Sequence, residues 1–425
     1  MPLYSRTGLR SAPPSLLSSS SSSSCYACDG FYEAKNGSIR VVTRVRPINE
    51  TERALGNKPC ITVDEGLVQV VRSSKATEFP FFDSCVSAED NQDSAFEKFG
   101  VPELLDDALA GMNITLFAYG QTGSGKTHTI HDGIIPRSLR YLFDRLVGRD
   151  NDLDGLVCLE EYGLNGPPDN QPANRVASGS IVCGASFCEI YNDFVYDLLL
   201  STSRPLKLKW DAGEGFHAPE IHIQPCNTLQ DALAVLNLGN KRRRQRSHCL
   251  NAESSRSHAI LTLYLFCGER AGADGGPDAM RTGISTKVHF VDLAGSERLK
   301  VSKNYTCQLA IRETAQINRS LFLLGNVICA IASNQPNHTV PYRDCTITKM
   351  LFGSMTWPSK VLMIACVSPS DGAVEESLTT LAYATRFARA EAVPVVRVEK
   401  GWDVVASLRR ENRVLKEEIR ILRGC

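Results

Sequence analysis

Residues 120–127 have the types and spacing of a phosphate-binding loop. They read Gly-Gln-Thr-Gly-Ser-Gly-Lys-Thr and match the pattern G-x-x-x-x-G-K-[ST]. Glycines let backbone N–H groups approach phosphate oxygens, because no Cβ stands between them. The Lys126 ammonium would meet the β- and γ-phosphates, and the Thr127 hydroxyl would be a ligand of Mg²⁺. The loop therefore predicts a site for a phosphorylated ligand together with Mg²⁺.

Two further motifs could complete such a site. Residues 251–258 read Asn-Ala-Glu-Ser-Ser-Arg-Ser-His. Hydroxyls can bind Mg²⁺ or orient water and an Arg can hold a carboxylate, although the same residues could simply cap a helix. Asp292 ends an apolar strand pattern, where a carboxylate can hold the water shell of Mg²⁺. Gly295 could bring its N–H to a γ-phosphate, and Glu297 could pair with an Arg.

Alternating and continuous apolar runs predict the elements that position these motifs. Strand patterns occur at 39–45, 114–119, 287–292 and 361–367, and helical spacing occurs at 138–146 and 310–333. Strands that alternate with helices indicate an α/β fold. We expect a P-loop NTPase with a central, mostly parallel β-sheet and helices on both faces.

Composition excludes several classes of protein. The 425 residues include 47 Lys or Arg and 47 Asp or Glu, so the zero net charge argues against a nucleic-acid-coating protein. The longest apolar run, 361–367, is far shorter than the ~20 residues that span a bilayer. The 15 cysteines lack regular spacing, and no secretory signal precedes them, so we expect reduced thiols in an intracellular protein. We therefore expect no nucleic acid partner and no membrane span.

Both ends of the chain differ from its centre. Residues 1–38 contain an unbroken serine run at 18–24 and predict a disordered tail, although a Ser-rich, acid-poor segment is also typical of transit peptides. Residues 402–425 predict a helix that pairs with itself as a coiled coil or packs on the domain as an amphipathic helix. Its heptad positions are Val405, Leu408, Asn412, Leu415, Ile419 and Leu422.

With these residues the sequence resembles a kinesin motor domain. Four motifs occur in the order of that family: Arg-Val-Arg-Pro at 44–47, the loop at 120–127, the hydroxyl-rich motif at 251–258 and Asp-Leu-Ala-Gly-Ser-Glu at 292–297. Shorter matches include Glu-Ile-Tyr-Asn at 189–192 and Tyr-Arg-Asp at 342–344. The resemblance covers about residues 39–398.

The resemblance implies an ATP-driven microtubule motor of the cytoplasm and cytoskeleton. It implies a motor domain at 39–390, a neck linker at 391–401 and a neck helix at 402–425 that could form a homodimer. A neck after the core usually accompanies plus-end movement in the family. Two alternatives stay open: a microtubule-binding tether with weak or no motility, and a P-loop NTPase without a cytoskeletal partner.

The resemblance also implies individual roles. Arg44 and Pro47 would border the adenine, with His128 on its other side, and ATP and ADP would bind with Mg²⁺. The implied nucleotide-binding residues are Arg44, Pro47, Gly120, Gln121, Thr122, Gly123, Ser124, Gly125, Lys126, Thr127 and His128. The implied catalytic residues are Asn251, Ser254, Ser255, Arg256, Asp292, Gly295 and Glu297. The implied Mg²⁺ ligands are Thr127, Ser255 and, through water, Asp292.

Within that set, Ser255 would close onto Mg²⁺ and Ser254 onto the attacking water. Arg256 and Glu297 would form a latch that shuts around the γ-phosphate. The motifs at 251–258 and 292–297 would be the first and second switch motifs. A long helix after the second switch motif would then relay the change to the microtubule side. The implied microtubule contacts, which could also be ordinary surface charges, are Lys300, Lys303, Arg319, Arg343 and Lys349.

Four features depart from the family or leave a choice. Met112 stands where many kinesins have a Tyr that stacks on adenine. Thr346 replaces a usual Lys and Arg397 replaces a usual Asn, which predicts weaker tubulin binding and weaker linker docking. The basic run at 241–246 resembles a nuclear-localisation patch, but we favour cations at a helix end.

Overall fold

The computed structural model describes residues 39–64, 66–72, 75–80, 82–147, 156–158, 175–177, 181–201, 204–211, 215–249, 254–267, 284–297, 308–332, 340–355 and 359–390. The predicted tail, neck linker and neck helix lie outside these ranges. So do Asn251, Lys300, Lys303 and Arg397.

Sixteen strands occur among the described residues. They are β1 (Ile39–Val45), β2 (Ile61–Asp64), β3 (Leu67–Arg72), β4 (Lys75–Phe79), β5 (Ser84–Val86), β6 (Asn113–Tyr119), β7 (Leu156–Cys158), β8 (Arg175–Ala177), β9 (Ile181–Tyr191), β10 (Phe194–Asp197), β11 (Lys209–Asp211), β12 (Gly215–His217), β13 (Gln224–Cys226), β14 (His258–Cys267), β15 (Ile284–Asp292) and β16 (Ser359–Val367).

Eight α-helices occur in the same part of the chain. They are α1 (Glu50–Ala54), α2 (Gln92–Lys98), α3 (Val101–Leu109), α4 (Ile135–Val147), α5 (Leu229–Cys249), α6 (Gln308–Ala332), α7 (Thr346–Met355) and α8 (Val374–Ala390). A π-helix, His128–Ile134, leads directly into α4, and short 3₁₀ turns cover Ser254–Arg256 and Asp371–Ala373. The four predicted strands and the two predicted helices at 138–146 and 310–333 therefore form, the second as far as the described residues extend.

The central sheet has the strand order β10-β9-β14-β15-β6-β16-β1-β5, and β13 also pairs with β9. Its described pairings divide equally, because four are parallel around β6, β16 and β1 and four are antiparallel around β9 and β14. The expected P-loop NTPase fold is confirmed, with a mixed sheet in place of a mostly parallel one.

Each face of the sheet is covered by helices. In β16, Met363 and Ala365 join the core under α6, α7 and α8, whereas Leu362 and Ile364 join the core under α2, α3, α4 and α5. A strand buried on both faces must be apolar at every position. This explains the continuous apolar run at 361–367.

The topology brings the sequence motifs to one edge. Strands β1, β6, β15 and β16 run parallel, so their carboxyl ends lie side by side. Arg46 follows β1, Gly120 follows β6, and Asp292 ends β15. Ligands in open α/β sheets bind outside the carboxyl ends of the strands. Within the described residues, no helix is long and apolar enough to cross a membrane.

Candidate functional site

The loop between β6 and the π-helix forms a tight cradle around Lys126. Its ammonium donates to the carbonyl oxygens of Gly120 and Gln121, both at 2.9 Å. Burial lowers the pKa of Lys126, while Asp292 and Glu297 act in the opposite direction. Gly120 has φ +151°, and a Cβ there would collide with the carbonyl oxygen of Cys366. The sequence therefore needs glycine where β6 turns next to β16.

Asp292 is the most strongly held charge at this edge. The hydroxyl of Thr127 donates to Asp292 Oδ2 at 2.8 Å, and Arg243 Nη1 donates to the same oxygen at 2.7 Å. His131 Nε2 lies 3.6 Å from it. Burial opposes ionisation, but Arg243, His131 and Lys126 outweigh it, so the pKa of Asp292 lies well below its ordinary value.

The residues around Asp292 fit a Mg²⁺ ion with a nucleotide. Asp292 is 1% exposed, and its Oδ1 has no hydrogen-bond partner among the described residues. An ionised carboxylate with a free oxygen, next to the Thr127 hydroxyl, is the oxygen donor set that Mg²⁺ prefers. The cradle supplies room for phosphate beside it. Thr127 and Asp292 are thus residues that could hold the ion, and Ser255, the third expected ligand, is joined to Gly295 through its backbone carbonyl.

Arg243 is a site residue that sequence reasoning missed. It belongs to the basic run at 241–246, which we interpreted as cations at a helix end. The run does lie near the end of α5, but Arg243 is 5% exposed and also donates to the Ser257 carbonyl at 3.2 Å. Arg246 likewise pairs with Glu189 at 2.9 Å. These two arginines are internal ion-pair partners.

A signal for Arg243 was present in the sequence. The buried residues of α5 recur at helical spacing through Ala232, Val235, Leu236 and Gly239, and the next position of that stripe is Arg243. A charge that continues an apolar stripe is expected to be buried, and buried charges are paired.

The two switch motifs touch each other, but not through the expected latch. Arg256 Nη1 donates to Glu313 Oε2 at 3.1 Å, and Glu313 Oε1 accepts from the Tyr191 hydroxyl at 2.6 Å. Glu297 accepts from the Thr122 backbone N–H at 2.8 Å and from the Thr122 hydroxyl. The Arg256–Glu297 pair is therefore absent from this structure, because each residue has another partner.

Backbone hydrogen bonds join the motifs instead. The Gly295 N–H, which we expected to face a γ-phosphate, donates to the Ser255 carbonyl at 2.8 Å. The Ser296 N–H donates to the Gly120 carbonyl at 3.1 Å. A Cβ at Gly295 would collide with the Glu297 carboxylate and the Thr122 hydroxyl, so any larger residue would displace these side chains. Ser254 lies in the 3₁₀ turn beside Ser255.

His258 ties both switch motifs to α6. Its Nδ1 accepts from the Ala294 N–H at 3.1 Å, so its Nε2 carries the hydrogen and donates to the Ser320 hydroxyl at 2.9 Å. Burial, reinforced by Arg243, lowers the pKa of His258 to about 3. The imidazole is therefore neutral and acts as a fixed hydrogen-bonding bridge.

The expected base-binding residues lie around α2 and the start of the π-helix. Arg44 is buried, and its Nη1 donates to Gln92 Oε1 at 2.8 Å and to the Thr129 hydroxyl at 3.0 Å. Burial lowers the pKa of Arg44. His128 is exposed and lies near the same Gln92, with 2.8 Å between Gln92 Nε2 and His128 Nε2. Gln92 is a further residue that the sequence did not single out.

Arg46, also missed, braces Pro47 and the phosphate loop. Its guanidinium donates to the Pro47 carbonyl at 2.8 Å and to the Gly123 carbonyl at 2.7 Å. It also forms an ion pair with Glu52 at 2.6 Å, and hydrogen bonding to Arg46 lowers the pKa of Glu52 to about 2. The sequence feature that could have revealed Arg46 is its position within the 44–47 motif.

The interpretation of Met112 is wrong. Met112 precedes β6, whereas the phosphate loop follows it, and a strand of seven residues spans ~23 Å. Its side chain packs against the core under α2 to α5. Met112 therefore does not lie beside the base, because the strand places it at the opposite edge of the sheet.

Three expected microtubule contacts are described, and two of them meet an aromatic cluster. Arg343 lies 5.9 Å from the ring centre of Trp210 and 5.5 Å from that of Tyr342, and Lys349 lies 6.0 Å from that of Phe216. Arg319 is exposed on α6. These cations are accessible on the face that carries α6 and α7.

Thr346, which replaces a usual Lys, lies in a buried contact. It is 6% exposed at the start of α7, and its hydroxyl donates to the Asp193 carbonyl at 2.6 Å. Its backbone N–H donates to Asp193 Oδ1 at 2.7 Å. Thr346 therefore ties α7 to the turn after β9.

Comparison with known proteins gives a consistent result. The family model described as kinesin motor domain matches residues 44–390. Kinesin-like protein KIF12 of Mus musculus is 34% identical over 407 residues, which is 92% of this chain and 58% of that protein. Kinesin-like protein klp-19 of Caenorhabditis elegans is 33% identical over 399 residues, covering 91% of this chain and 33% of that protein. The chain thus spans less than two thirds of either relative.

Solved structures agree with these relatives. A structure of a fast kinesin has a TM-score of 0.68 and 26% identity, covering 86% of this chain and 95% of that one. A KIF14 dimer with AMP-PNP, in complex with a microtubule, has a TM-score of 0.70 and 29% identity, covering 86% and 97%.

Proposed function

Because the chain belongs to the kinesin motor-domain family, we propose that it hydrolyses ATP with Mg²⁺ and uses the free energy to move along microtubules. The observation that carries the proposal is the cluster at the carboxyl edge of the sheet. There an ionised Asp292 lies 2.8 Å from the Thr127 hydroxyl, beside the buried Lys126.

The phosphate groups would be bound mainly by Lys126 and the loop. Lys126 would exchange the carbonyl oxygens of Gly120 and Gln121 for oxygens of the β- and γ-phosphates. When bound, Mg²⁺ would neutralise phosphate charge, held by Thr127, Ser255 and, through water, Asp292. Catalysis would then be positioning and electrostatics, because phosphoryl transfer needs little covalent chemistry from the protein.

A γ-phosphate would favour new partners for the switch residues. Arg256 would leave Glu313, Glu297 would leave Thr122, and the two would pair as the latch. The Gly295 N–H would leave the Ser255 carbonyl and become available to the phosphate. The first two exchanges replace one charge-assisted contact with another, and the third replaces a neutral hydrogen bond with a charge-assisted one, so the cost of switching is small.

The same exchanges would reach the microtubule side through α6. Glu313 lies on α6, and Asn318 on the same helix donates to the Glu297 carbonyl at 3.5 Å. His258 holds Ser320, two residues beyond Asn318 on the same helix. Moving Glu297 and Arg256 would therefore change the forces on α6, whose neighbour α7 carries Lys349. Plus-end direction is part of this proposal and rests on the position of residues 391–425 after the core.

The deciding experiment measures ATP turnover with and without microtubules, at several salt concentrations. We expect microtubules to accelerate turnover, and the half-saturating concentration to rise with salt, because ions screen Arg319, Arg343 and Lys349 from an acidic polymer. A Lys126→Ala variant should lose turnover while keeping its fold. Turnover that ignores microtubules would favour a generic NTPase, and binding without turnover would favour a tether.

A further inference from the structure

Gln92, the first residue of α2, connects the two residues expected to flank the base. Its Oε1 accepts from Arg44 Nη1 at 2.8 Å. Its Nε2 donates to the His128 carbonyl at 3.0 Å and lies 2.8 Å from His128 Nε2. The amide therefore uses its acceptor on Arg44, near the end of β1, and both its donors on His128, the first residue of the π-helix.

These contacts fix the hydrogen and the orientation of the His128 ring. An amide nitrogen can only donate, so His128 Nε2 accepts, and Nδ1 carries the hydrogen. That Nδ1 lies 3.3 Å from Asp132 Oδ2 on the same π-helix. The His128 side chain is 63% exposed, so packing does little to orient it. Its two polar partners must set its position.

On the other side, Gln92 helps to satisfy a buried guanidinium. Arg44 Nη1 is shared between Gln92 and the Thr129 hydroxyl, and that hydroxyl donates to the Gly125 carbonyl of the phosphate loop at 2.8 Å. A buried cation needs acceptors, because an unsatisfied one carries the full desolvation penalty. Gln92 is thus one of the acceptors that hold Arg44 in place.

The space for Gln92 depends on Gly133. A Cβ built on Gly133 would collide with Gln92 Oε1. Gly133 lies on the π-helix, and its backbone conformation is open to other residues because φ there is not positive. A side chain at 133 would therefore displace the Gln92 amide without straining the helix itself.

We propose that Gln92 is the positioning residue of the base pocket. It holds Arg44 and His128 in the arrangement that receives the adenine, so it sets nucleotide affinity through the base and takes no part in binding the phosphates. This inference rests on the proposed function and adds to it the residue that tunes recognition of the base.

The test compares a ligand that has a base with one that has none. Gln92→Met keeps the length of the side chain and removes every hydrogen bond. Binding is measured by displacement of a fluorescent ADP analogue, corrected for the affinity of the analogue, with ATP and with inorganic tripolyphosphate. We expect ATP to bind about tenfold more weakly, the loss expected for one to two hydrogen bonds. Tripolyphosphate binding and kcat should change less than about twofold.

A second test variant and a matched control mean that the conclusion does not depend on Gln92→Met alone. Gly133→Ala keeps the amide but displaces it, and should reproduce the selective loss of ATP binding. Gln69→Met is the matched control, because Gln69 Nε2 donates to Glu78 Oε1 at 3.1 Å in the β3–β4 hairpin. It should leave the binding of both ligands unchanged.

Equal weakening of ATP and tripolyphosphate would overturn the proposal, since Gln92 would then support the whole loop. Unchanged ATP binding in both Gln92→Met and Gly133→Ala would overturn it as well. A wild-type protein that binds neither ligand would contradict the proposed function itself, which is a distinguishable result.

Discussion

At the scale of single residues, the main feature of the site is that Arg256 and Glu297 each have a partner other than the one expected. Arg256 pairs with Glu313 at 3.1 Å, and Glu297 with Thr122 at 2.8 Å, although the motifs led us to expect Arg256 and Glu297 to pair. Residue types could be predicted from the sequence because the chemistry requires them. Partners could not, because the spacing of residues along the sequence does not specify which carboxylate, Glu297 or Glu313, Arg256 meets in the fold.

If Arg256 and Glu297 form the latch, their substitutions should lower the hydrolysis rate in a non-additive way. Arg256→Ala and Glu297→Ala should each slow hydrolysis by about 100-fold, as for the loss of one charge-stabilising group. The double variant should be little slower than either single variant, because the two residues act as a unit. Single-turnover hydrolysis measures this, and losses that multiply would contradict the latch.

Removal of the Glu313 charge should have the opposite effect on turnover, because Glu313 competes with Glu297 for Arg256. Glu313→Gln should raise turnover without microtubules by about two- to fivefold, since a half-exposed ion pair is worth about 0.5–1 kcal/mol. The gain should vanish in a Glu297→Ala background, where Arg256 has no latch partner. A gain that persists there would mean that Glu313 acts by another route.

At the scale of elements, the parallel half of the fold could be predicted from the sequence. The strands at 39–45, 114–119, 287–292 and 361–367 and the helix at 310–333 all form, because their patterns of burial are local. The antiparallel pairing of β9, β14 and β15 could not be predicted, because apolar strands do not specify their neighbours. Arg243 was missed for a related reason: its run of charges hid the stripe of α5 that buries it.

The link between α7 and the turn after β9 gives a prediction about stability. Thr346→Val removes the hydroxyl that donates to the Asp193 carbonyl and should lower the free energy of unfolding by about 1 kcal/mol. Asp193→Ala, which removes the separate carboxylate acceptor of the Thr346 backbone N–H, should also lower it. Urea unfolding measures both. Thr379→Val, whose hydroxyl donates to the Glu375 carbonyl on the exposed face of α8, is the control and should have little effect.

At the scale of the whole molecule, two buried histidines make stability depend on pH. Burial lowers the pKa of His258 and of His289 to about 3 in the folded protein. Both fold as neutral groups and gain protons on unfolding below about pH 6.5. Their contribution is therefore complete above that pH and is lost as the pH falls.

From pH 6.5 to 5.5 we expect a loss of about 2 kcal/mol in the free energy of unfolding, near 1 kcal/mol for each histidine, because unfolded histidines are already half protonated at pH 6.5. In a His289→Gln variant the slope should fall by about half, whereas His222→Gln, on a half-buried surface position, should leave it unchanged. Urea unfolding at the two pH values tests this. An identical slope in His289→Gln would contradict the assignment.

The expected neck helix gives a prediction about oligomeric state. Its residues, 402–425, lie outside the described ranges. With Leu408, Leu415 and Leu422 at d positions and Asn412 at an a position, we expect weak parallel pairing into two strands. Sedimentation should find monomers that dimerise as concentration rises, and Asn412→Leu should tighten association. A strict monomer at high concentration, unchanged by Asn412→Leu, would favour a helix packed on its own domain.

The position of β16 between β1 and β6 has a consequence for biosynthesis. β1 emerges early from the ribosome, yet its inner neighbour is β16, and the Arg46–Ser368 hydrogen bond joins positions 322 apart. At about 5–20 residues per second, roughly 10–50 seconds separate the synthesis of β6 from that of β16. Until β16 inserts, the strand that carries Arg44 cannot join the strands that carry the phosphate loop and Asp292. A nascent chain therefore holds two exposed half-sheets and has no nucleotide site, so ATP can stabilise the fold only after translation of the domain is nearly complete.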